Sequence, residues 1–322
     1  MNAKIKIFSG NAHHTLAKNI CEHLGIKLGH ALVNSFPNGE TFVQIQENIR
    51  GADVFLVQPI ANPVNHHLME LLVMIDAARR ASASRITAVI PFYAYARQDR
   101  KDRPRVPITS KLVANLLVAS GVNRILTMDL HAQQIVGFFD IPVDHLYASP
   151  VFFEYLKQVH PQASWAVFSP DLGGVKRAIA YADFLECSVG MIAKRRKSAY
   201  EVEVLNIIGE AKNKHVILVD DISDTGNTLI AATQLLKQAG AKRVIAMITH
   251  PVTRQDVLGK IAQSGLDEFI TTDTLPVQSQ NLGKFSFTVL SISKLFAEAI
   301  MRIHTNQSIN ELFPSKILTR FQ

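Results

Sequence analysis

Cysteine is scarce in this 322-residue chain: Cys21 and Cys187 are the two present, too few and too far apart for a disulfide framework or a zinc cluster. An intracellular, cytoplasmic protein is therefore the expectation. Nowhere does an apolar stretch approach the ~18 uninterrupted residues that a membrane span needs. The start, Met1-Asn2-Ala3-Lys4-Ile5-Lys6-Ile7-Phe8, moves straight into a strand-like alternation with no apolar leader or small-residue cleavage site. Neither a signal peptide nor a transmembrane span is expected. Charged residues make up only 19%, which argues against a solvated tail or a fibre. Heptads, fixed-period repeats, low-complexity tracts and zinc-finger or RNA-recognition signatures are missing as well. So are the G-x-x-x-x-G-K-S/T P-loop and the kinase G-x-G-x-x-G set, which excludes two common ways of holding a nucleoside triphosphate.

What is present is a hydrophobic fraction of 48%, enough for a sizeable core, and a length that suits about two domains of roughly 150 residues each. Set against 27 Asp+Glu, the 34 Lys+Arg leave a surplus of +7, which suits nucleic acid, a membrane surface or small anionic substrates. Most basic residues are dispersed, and the two dense groups, 97–105 and 194–197, each follow a candidate strand. Local phosphate sites fit that distribution better than an extended groove, so neither nucleic acid nor membrane is expected as a partner.

Short Ile- and Val-rich runs recur between amphipathic stretches, the pattern of strands alternating with helices in a parallel sheet covered on both faces. This predicts strands over 5–8, 54–58, 86–91 and 125–128, then over 166–169, 189–192, 216–219 and 244–249. Helices are predicted over 65–82, 110–120, 175–182 and 228–239, with Gly121 and Gly240 where C-terminal caps belong. The stretch from Asp140 to Pro150 carries two prolines after a completed β-α series, so the domains are expected over 1–148 and 149–292. A last helix over 293–304 is expected to pack back on the first domain. The expected class is α/β, with two tandem doubly wound parallel sheets. In such folds ligands bind beyond the carboxyl ends of the strands, so polar residues just after an apolar run matter most.

The most informative run is His215-Val216-Ile217-Leu218-Val219-Asp220-Asp221-Ile222-Ser223-Asp224-Thr225-Gly226-Asn227-Thr228: strand, acidic turn, small-residue loop, helix. Backbone N–H groups at a helix start, with the Thr225 and Thr228 hydroxyls, can cradle a phosphate, and Gly226 allows close backbone approach. The paired carboxylates Asp220 and Asp221 would accept hydrogen bonds from sugar hydroxyls of the same ligand. An ordinary capped β-α turn needs one Asp or Thr; two adjacent acids, a third at Asp224 and T-G-x-T exceed that. An EF-hand is excluded, because Thr225 occupies the required Gly position and Ala231 the required Glu position.

Further motifs are Phe36-Pro37-Asn38-Gly39-Glu40, Tyr95-Ala96-Arg97-Gln98-Asp99, Met128-Asp129-Leu130-His131-Ala132, Ser169-Pro170-Asp171-Leu172-Gly173-Gly174 and Lys194-Arg195-Arg196, in that order. Taken singly they read as a turn with an apolar anchor, a structural histidine or a solvated basic turn. The 215–228 run matches the 5-phosphoribosyl-diphosphate signature of type I phosphoribosyltransferase folds. All six together closely resemble the class I ribose-phosphate diphosphokinases, or phosphoribosyl-diphosphate synthetases, over nearly the whole chain.

That resemblance implies two phosphoribosyltransferase-like domains and the reaction of ATP with D-ribose 5-phosphate to AMP and 5-phospho-α-D-ribose 1-diphosphate. It implies Mg2+ (magnesium) held by His131 and Asp171, although magnesium's preference for oxygen makes the His the less expected ligand. Lys194 and Arg196 resemble the catalytic basic pair, opening a mobile loop over 197–203; two cations there would stabilise a diphosphoryl group in transit. Arg97, Gln98 and Asp99 correspond to the ATP-binding stretch, with Phe36 stacking on adenine and Asn38, Gly39 and Glu40 at its edge or the ribose. Asp220, Asp221, Asp224, Thr225, Gly226, Asn227 and Thr228 correspond to the ribose-5-phosphate loop. A homohexamer built from dimers, nucleotide sites completed across subunits, and phosphate and ADP as regulators are also implied. His66, His67, Cys21 and Cys187 receive no role, and both cysteines read as small buried residues.

The chain departs from the family in places. Asn227 stands where Gly is usual, and Asn tolerates left-handed backbone better than most residues. Val252-Thr253-Arg254-Gln255-Asp256 lacks the usual Ser-Gly, and Asn310 replaces Ser, in regions tied in the family to subunit contacts and regulation. Three alternatives stay open at this point. A phosphoribosyltransferase would keep the 220–228 loop but not need the 97–99 and His131 stretches. A non-catalytic subunit would show damaged motifs, whereas Lys194 and Arg196 are intact. A ligand-sensing nucleic-acid regulator would suit the +7 charge, but no DNA-binding module precedes the fold.

Overall fold

The computed structural model describes residues 3–160, 164–195, 204–253, 255–277 and 285–313. The chain divides into two compact units, one formed mainly by Met1–Tyr147 and Ile292–Leu312, the other mainly by Ala148–Asp273 and Val277–Ser291.

In the first unit β1 (Ile5–Ser9), α1 (His14–Leu24), β2 (Ala31–Ser35), β3 (Thr41–Ile45), β4 (Asp53–Val57), α2 (Val64–Arg80), β5 (Arg85–Ile90), α3 (Thr109–Ser120), β6 (Arg124–Met128) and β7 (Val143–Leu146) follow one another. Its sheet has the order β1-β4-β5-β6-β7, and every pair is parallel. β4 is buried along its whole length, which a run of Val, Phe and Leu tolerates when strands flank it and both faces are covered. α2 buries Leu68, Leu71, Met74, Ile75 and Ala78, an apolar stripe at helical spacing. α3 ends at Gly121, whose φ of 105° suits a left-handed cap. β2 and β3 form a separate antiparallel hairpin.

The second unit runs through α4 (Ser149–Val159), β8 (Trp165–Ser169), α5 (Val175–Leu185), β9 (Ser188–Arg195), β10 (Val204–Ile208), β11 (His215–Ser223), α6 (Asn227–Gln238), β12 (Arg243–Pro251), α7 (Gln255–Ala262), β13 (Glu268–Thr272) and β14 (Ser286–Leu290). The strand order is β10-β9-β8-β11-β12-β13-β14, parallel except for β10. From β8 the chain crosses through α5 to β9 on one side; from β11 it crosses through α6 to β12 and through α7 to β13 on the other. Right-handed crossovers in opposite directions place α5 on one face and α6 and α7 on the other. The sheet is thus doubly wound, and the winding reverses between β8 and β11. Phe168, Leu218, Leu236, Ile261 and Phe269 share one apolar core, each contributing about 1.5–3 kcal/mol by burial.

Residues 293–304 return to the first unit as α8 (Ser293–His304), which packs on α1 and buries Phe296, Ala297, Ile300 and Ile303. Asp53 anchors this helix: its Oδ1 accepts from Arg85 Nε at 2.8 Å, its Oδ2 lies 2.7 Å from His304 Nδ1, and Arg85 Nη2 donates to the Ile303 carbonyl at 2.9 Å. The eight predicted strands coincide, within a residue or two, with β1, β4, β5, β6, β8, β9, β11 and β12, although β9 and β11 extend further. The helices of the sequence reading become α2, α3, α5, α6 and α8. Cys21 is buried, which pushes its thiol up to about 11, but Cys187 is only partly covered. Among the described residues no helix is long and apolar enough to cross a membrane.

Candidate active site

The reversal of winding between β8 and β11 leaves a crevice at their carboxyl ends, and the acidic residues stand there. β8 pairs with β11 through Phe168 and Leu218. Immediately beyond that pair come Asp171 on one strand's turn and Asp220 and Asp221 on the other strand. Asp171 Oδ1 accepts the N–H groups of Gly173 at 2.8 Å and Gly174 at 3.1 Å, while Ser169 Oγ donates to the Asp171 carbonyl at 2.6 Å. A Cβ on Gly174 would lie 2.6 Å from Ser169 Oγ, so glycine lets this turn pack tightly over the end of β8.

Arg177, in the first turn of α5, reaches both carboxylates. Its Nη1 is 3.3 Å from Asp220 Oδ1 and 3.2 Å from Asp221 Oδ1, and the Asp221 N–H donates to Asp220 Oδ1 at 2.9 Å. Burial first, then the Asp221 charge, lifts the Asp220 carboxyl well above its ordinary range; Arg177 opposes the shift and Asp171 adds to it. Negative charge is thus concentrated at one sheet edge, where a cation or hydroxyl donors relieve it. A basic residue in a helix's first turn runs against the helix dipole. That conflict is the one sequence signal that could have singled out Arg177, which the motifs passed over.

Between β11 and α6 the chain turns at Gly226, whose φ is 72°. A Cβ there would meet Val257 Cγ1 at 2.8 Å, so conformation and space both require glycine. Asn227 is the first residue of α6 and takes ordinary helical backbone. The tolerance of Asn for left-handed geometry is therefore not used: Gly226 supplies that conformation. The N-cap, Gly226, has no side chain with which to cap α6, and the start of a helix is suited to an anion. Thr253 Oγ1 donates to the Ser223 carbonyl at 2.8 Å and secures the end of β11.

In the first unit, residues 36–40 form the tip of the β2–β3 hairpin. The Phe36 N–H donates to the Glu40 carbonyl at 2.8 Å, the Gly39 N–H to the Phe36 carbonyl at 2.8 Å, and the Glu40 N–H to Asn38 Oδ1 at 3.1 Å. Asn38 thus shapes the turn. Phe36 is 50% exposed and meets the Phe42 ring edge-on at 5.5 Å. Arg97, Gln98 and Asp99 follow β5, and His131 follows its neighbour β6. Gln134 Nε2 donates to Asp99 Oδ2 at 2.6 Å, and Thr109 Oγ1 donates to Gln98 Oε1. These bonds tie the 97–99 stretch to the turn after β6 and to α3. Leu130 N–H donates to His145 Nε2 at 2.9 Å, fixing the backbone beside the exposed His131.

Two family models match: one described as the N-terminal domain of ribose phosphate pyrophosphokinase, over residues 5–121, and one as the phosphoribosyl synthetase-associated domain, over residues 196–314. A ribose-phosphate pyrophosphokinase of Wolinella succinogenes is 51% identical over 308 residues, covering 96% of this chain and 98% of the relative. The chain belongs to the ribose-phosphate pyrophosphokinase family. Ribose-phosphate pyrophosphokinase A of Dictyostelium discoideum is 48% identical over 314 residues, covering 97% of this chain and 99% of the relative. The crystal structure of phosphoribosylpyrophosphate synthetase from Mycobacterium smegmatis superposes with a TM-score of 0.89 at 41% identity, over 94% of this chain and 99% of that one.

The pyrophosphokinase family motifs therefore fall into two groups. Asp171, Asp220, Asp221, Asp224, Thr225, Gly226, Asn227 and Thr228 gather at the carboxyl edge of the second unit's sheet, while Phe36 to Glu40, Arg97 to Asp99 and His131 belong to the first unit. His131 and Asp171 thus stand in different units. Lys194 lies on β9, but its side chain, with Arg196 and the 197–203 stretch, is outside the described residues. His66, His67 and Glu70, among the described residues, each place a ligand atom within 4.8 Å of the others and could coordinate a divalent metal ion. Sequence reading assigned the two histidines no role.

Proposed function

We propose that this chain is a ribose-phosphate pyrophosphokinase: it transfers the β,γ-diphosphoryl group of ATP to the C1 hydroxyl of D-ribose 5-phosphate, giving AMP and 5-phospho-α-D-ribose 1-diphosphate. The observation that carries this reading is the setting of Asp220, Asp221 and the 224–228 loop at the switch point of the second sheet, in a chain related end to end to that family. Asp220, Asp221 and Asp224 orient the ribose, their carboxylates accepting hydrogen bonds from its hydroxyls. Thr225, Gly226, Asn227 and Thr228 hold the 5-phosphate on the N–H groups at the start of α6. The C1 hydroxyl attacks the β-phosphorus in line, the bond to the α-phosphate oxygen breaks, and AMP leaves.

Phe36 stacks on adenine, with Asn38, Gly39 and Glu40 setting the hairpin tip. Arg97 binds phosphate, while Gln98 and Asp99, held by Thr109 and Gln134, fix its loop. Lys194 and Arg196 neutralise the group in transit. Oxygen donors at Asp171 and the Asp220–Asp221 pair suit magnesium, and the upward shift at Asp220 marks an excess of negative charge there. Asp171 in the second unit and His131 in the first are each read as magnesium-holding residues, and the ion would supply positive charge to a diphosphoryl group. The same reading gives a cytoplasmic homohexamer regulated by phosphate and ADP, with residues 1–148 and 149–292 as its two domains.

Purified protein given ATP, ribose 5-phosphate and Mg2+, with and without inorganic phosphate, tests this by phosphorus NMR. Equal amounts of AMP and a ribose 1-diphosphate are expected. ADP with a bisphosphorylated sugar, or no turnover in either condition, would overturn it.

A further inference from the structure

We propose that His66, His67 and Glu70 form a binding site for a divalent transition-metal ion of the zinc class, made of other residues than the Asp171 and His131 read as holding magnesium. All three stand at the start of α2. His66 and Glu70 are one helical turn apart and share a face, with His66 Nε2 3.2 Å from Glu70 Oε1. Two donors on a tetrahedral ion with bonds of about 2.0–2.1 Å stand roughly 3.3 Å apart. This pair already has that spacing, and a ligand atom of His67 completes a set within 4.8 Å.

The surroundings orient each donor. His67 Nδ1 lies 2.9 Å from the Ala61 carbonyl oxygen. A carbonyl only accepts, so Nδ1 carries the proton and Nε2 keeps the lone pair; a backbone carbonyl on the opposite nitrogen is a common way of aiming an imidazole ligand. The Glu70 side chain is fully buried, and Gln58 Nε2 donates to its Oε2 at 2.7 Å while Asn11 Nδ2 donates to its Oε1 at 2.6 Å. These amides set the carboxylate plane but bring no charge. A buried carboxylate with neutral amide partners favours a cation, and the imidazole of His66, 38% exposed, opens the site to solvent. Two imidazoles and one carboxylate are a donor set for zinc; magnesium prefers oxygens and retains its waters. A water would fill the fourth position. On uptake the ion replaces any proton on His66 Nε2, so the bridge from His66 to Glu70 passes from hydrogen bond to metal.

Metal-stripped full-length protein, dialysed against Zn2+ in excess Mg2+, tests this. One zinc ion per chain is expected, along with the visible bands of tetrahedral cobalt when Co2+ is substituted, and a Tm that climbs with zinc concentration. His66→Ala, at a partly exposed position, and His67→Gln should each weaken zinc binding by about 10-fold or more while the zinc-free proteins keep their circular dichroism spectrum. The proposal is overturned if the wild-type chain takes up no zinc against Mg2+. It is equally overturned if both folded variants bind zinc as tightly as wild type, since the ion would then sit elsewhere.

Discussion

Burial and the Asp221 charge hold the Asp220 carboxyl above its ordinary range, with Arg177 in opposition. Because the folded state binds that proton more tightly than the unfolded chain does, stability contributed by this group declines as pH rises from the unfolded value towards the folded one. Asp220→Asn should therefore raise Tm at pH 7 in metal-free buffer, and the gain should shrink as pH falls towards about 4. The same substitution should cut kcat/KM by about 100-fold or more, since the ribose loses an acceptor. A Tm at pH 7 that is unchanged or lower would contradict the burial argument. Arg177→Met removes the opposing cation, so the acid limb of the kcat/KM profile should move to higher pH; a limb that stays put would remove Arg177 from the ionisation of the pair. Phe36, half exposed at a hairpin tip, contributes little to the core. Phe36→Ala should raise the KM for ATP by about 10-fold, as loss of an aromatic stack of about 1–1.5 kcal/mol requires, and leave Tm unchanged.

At the scale of elements, α8 belongs to the first unit because Asp53, at the start of β4, gathers Arg85 and His304 around one buried carboxylate. Asp53→Ala should destabilise by about 3 kcal/mol, as removal of one partner from a largely buried pair does. It should also release α8 first, seen as faster amide hydrogen exchange over 293–304 than over β4; uniform loss of protection would mean that Asp53 serves the whole unit. Elements such as β4, β5, β8 and β11 are legible in the sequence because strands covered on both faces are continuous apolar runs. The hairpin strands β2 and β3 and the edge strands β7 and β14 are not, since half-exposed strands of four or five residues mix polar and apolar types without a distinct period. The same physics divides the site. The 220–228 loop is a contiguous motif and can be read directly, whereas Arg177 stands out in the sequence by no more than its cation in a helix's first turn, and its partners appear when β11, more than forty residues later, brings two carboxylates to its guanidinium. His66, His67 and Glu70 likewise look like ordinary polar positions of a helix start until Gln58 and Asn11, from two other segments, converge on the glutamate.

For the whole molecule, the residues proposed for the nucleotide lie on the first unit, and those proposed for the sugar phosphate lie where the second sheet reverses its winding. Neither unit carries a P-loop, and no kinase glycine set occurs in the chain; phosphoryl-group transfer in general rests on positioning and charge. What separates this enzyme from a sugar kinase is which phosphorus is attacked. ATP labelled at its β-phosphorus, incubated with the protein, ribose 5-phosphate and Mg2+, decides the matter in one chromatographic separation. Transfer of the label to the sugar product, with unlabelled AMP released in equal amount, is the expected result; label retained in ADP would show γ-phosphoryl transfer and contradict the assignment.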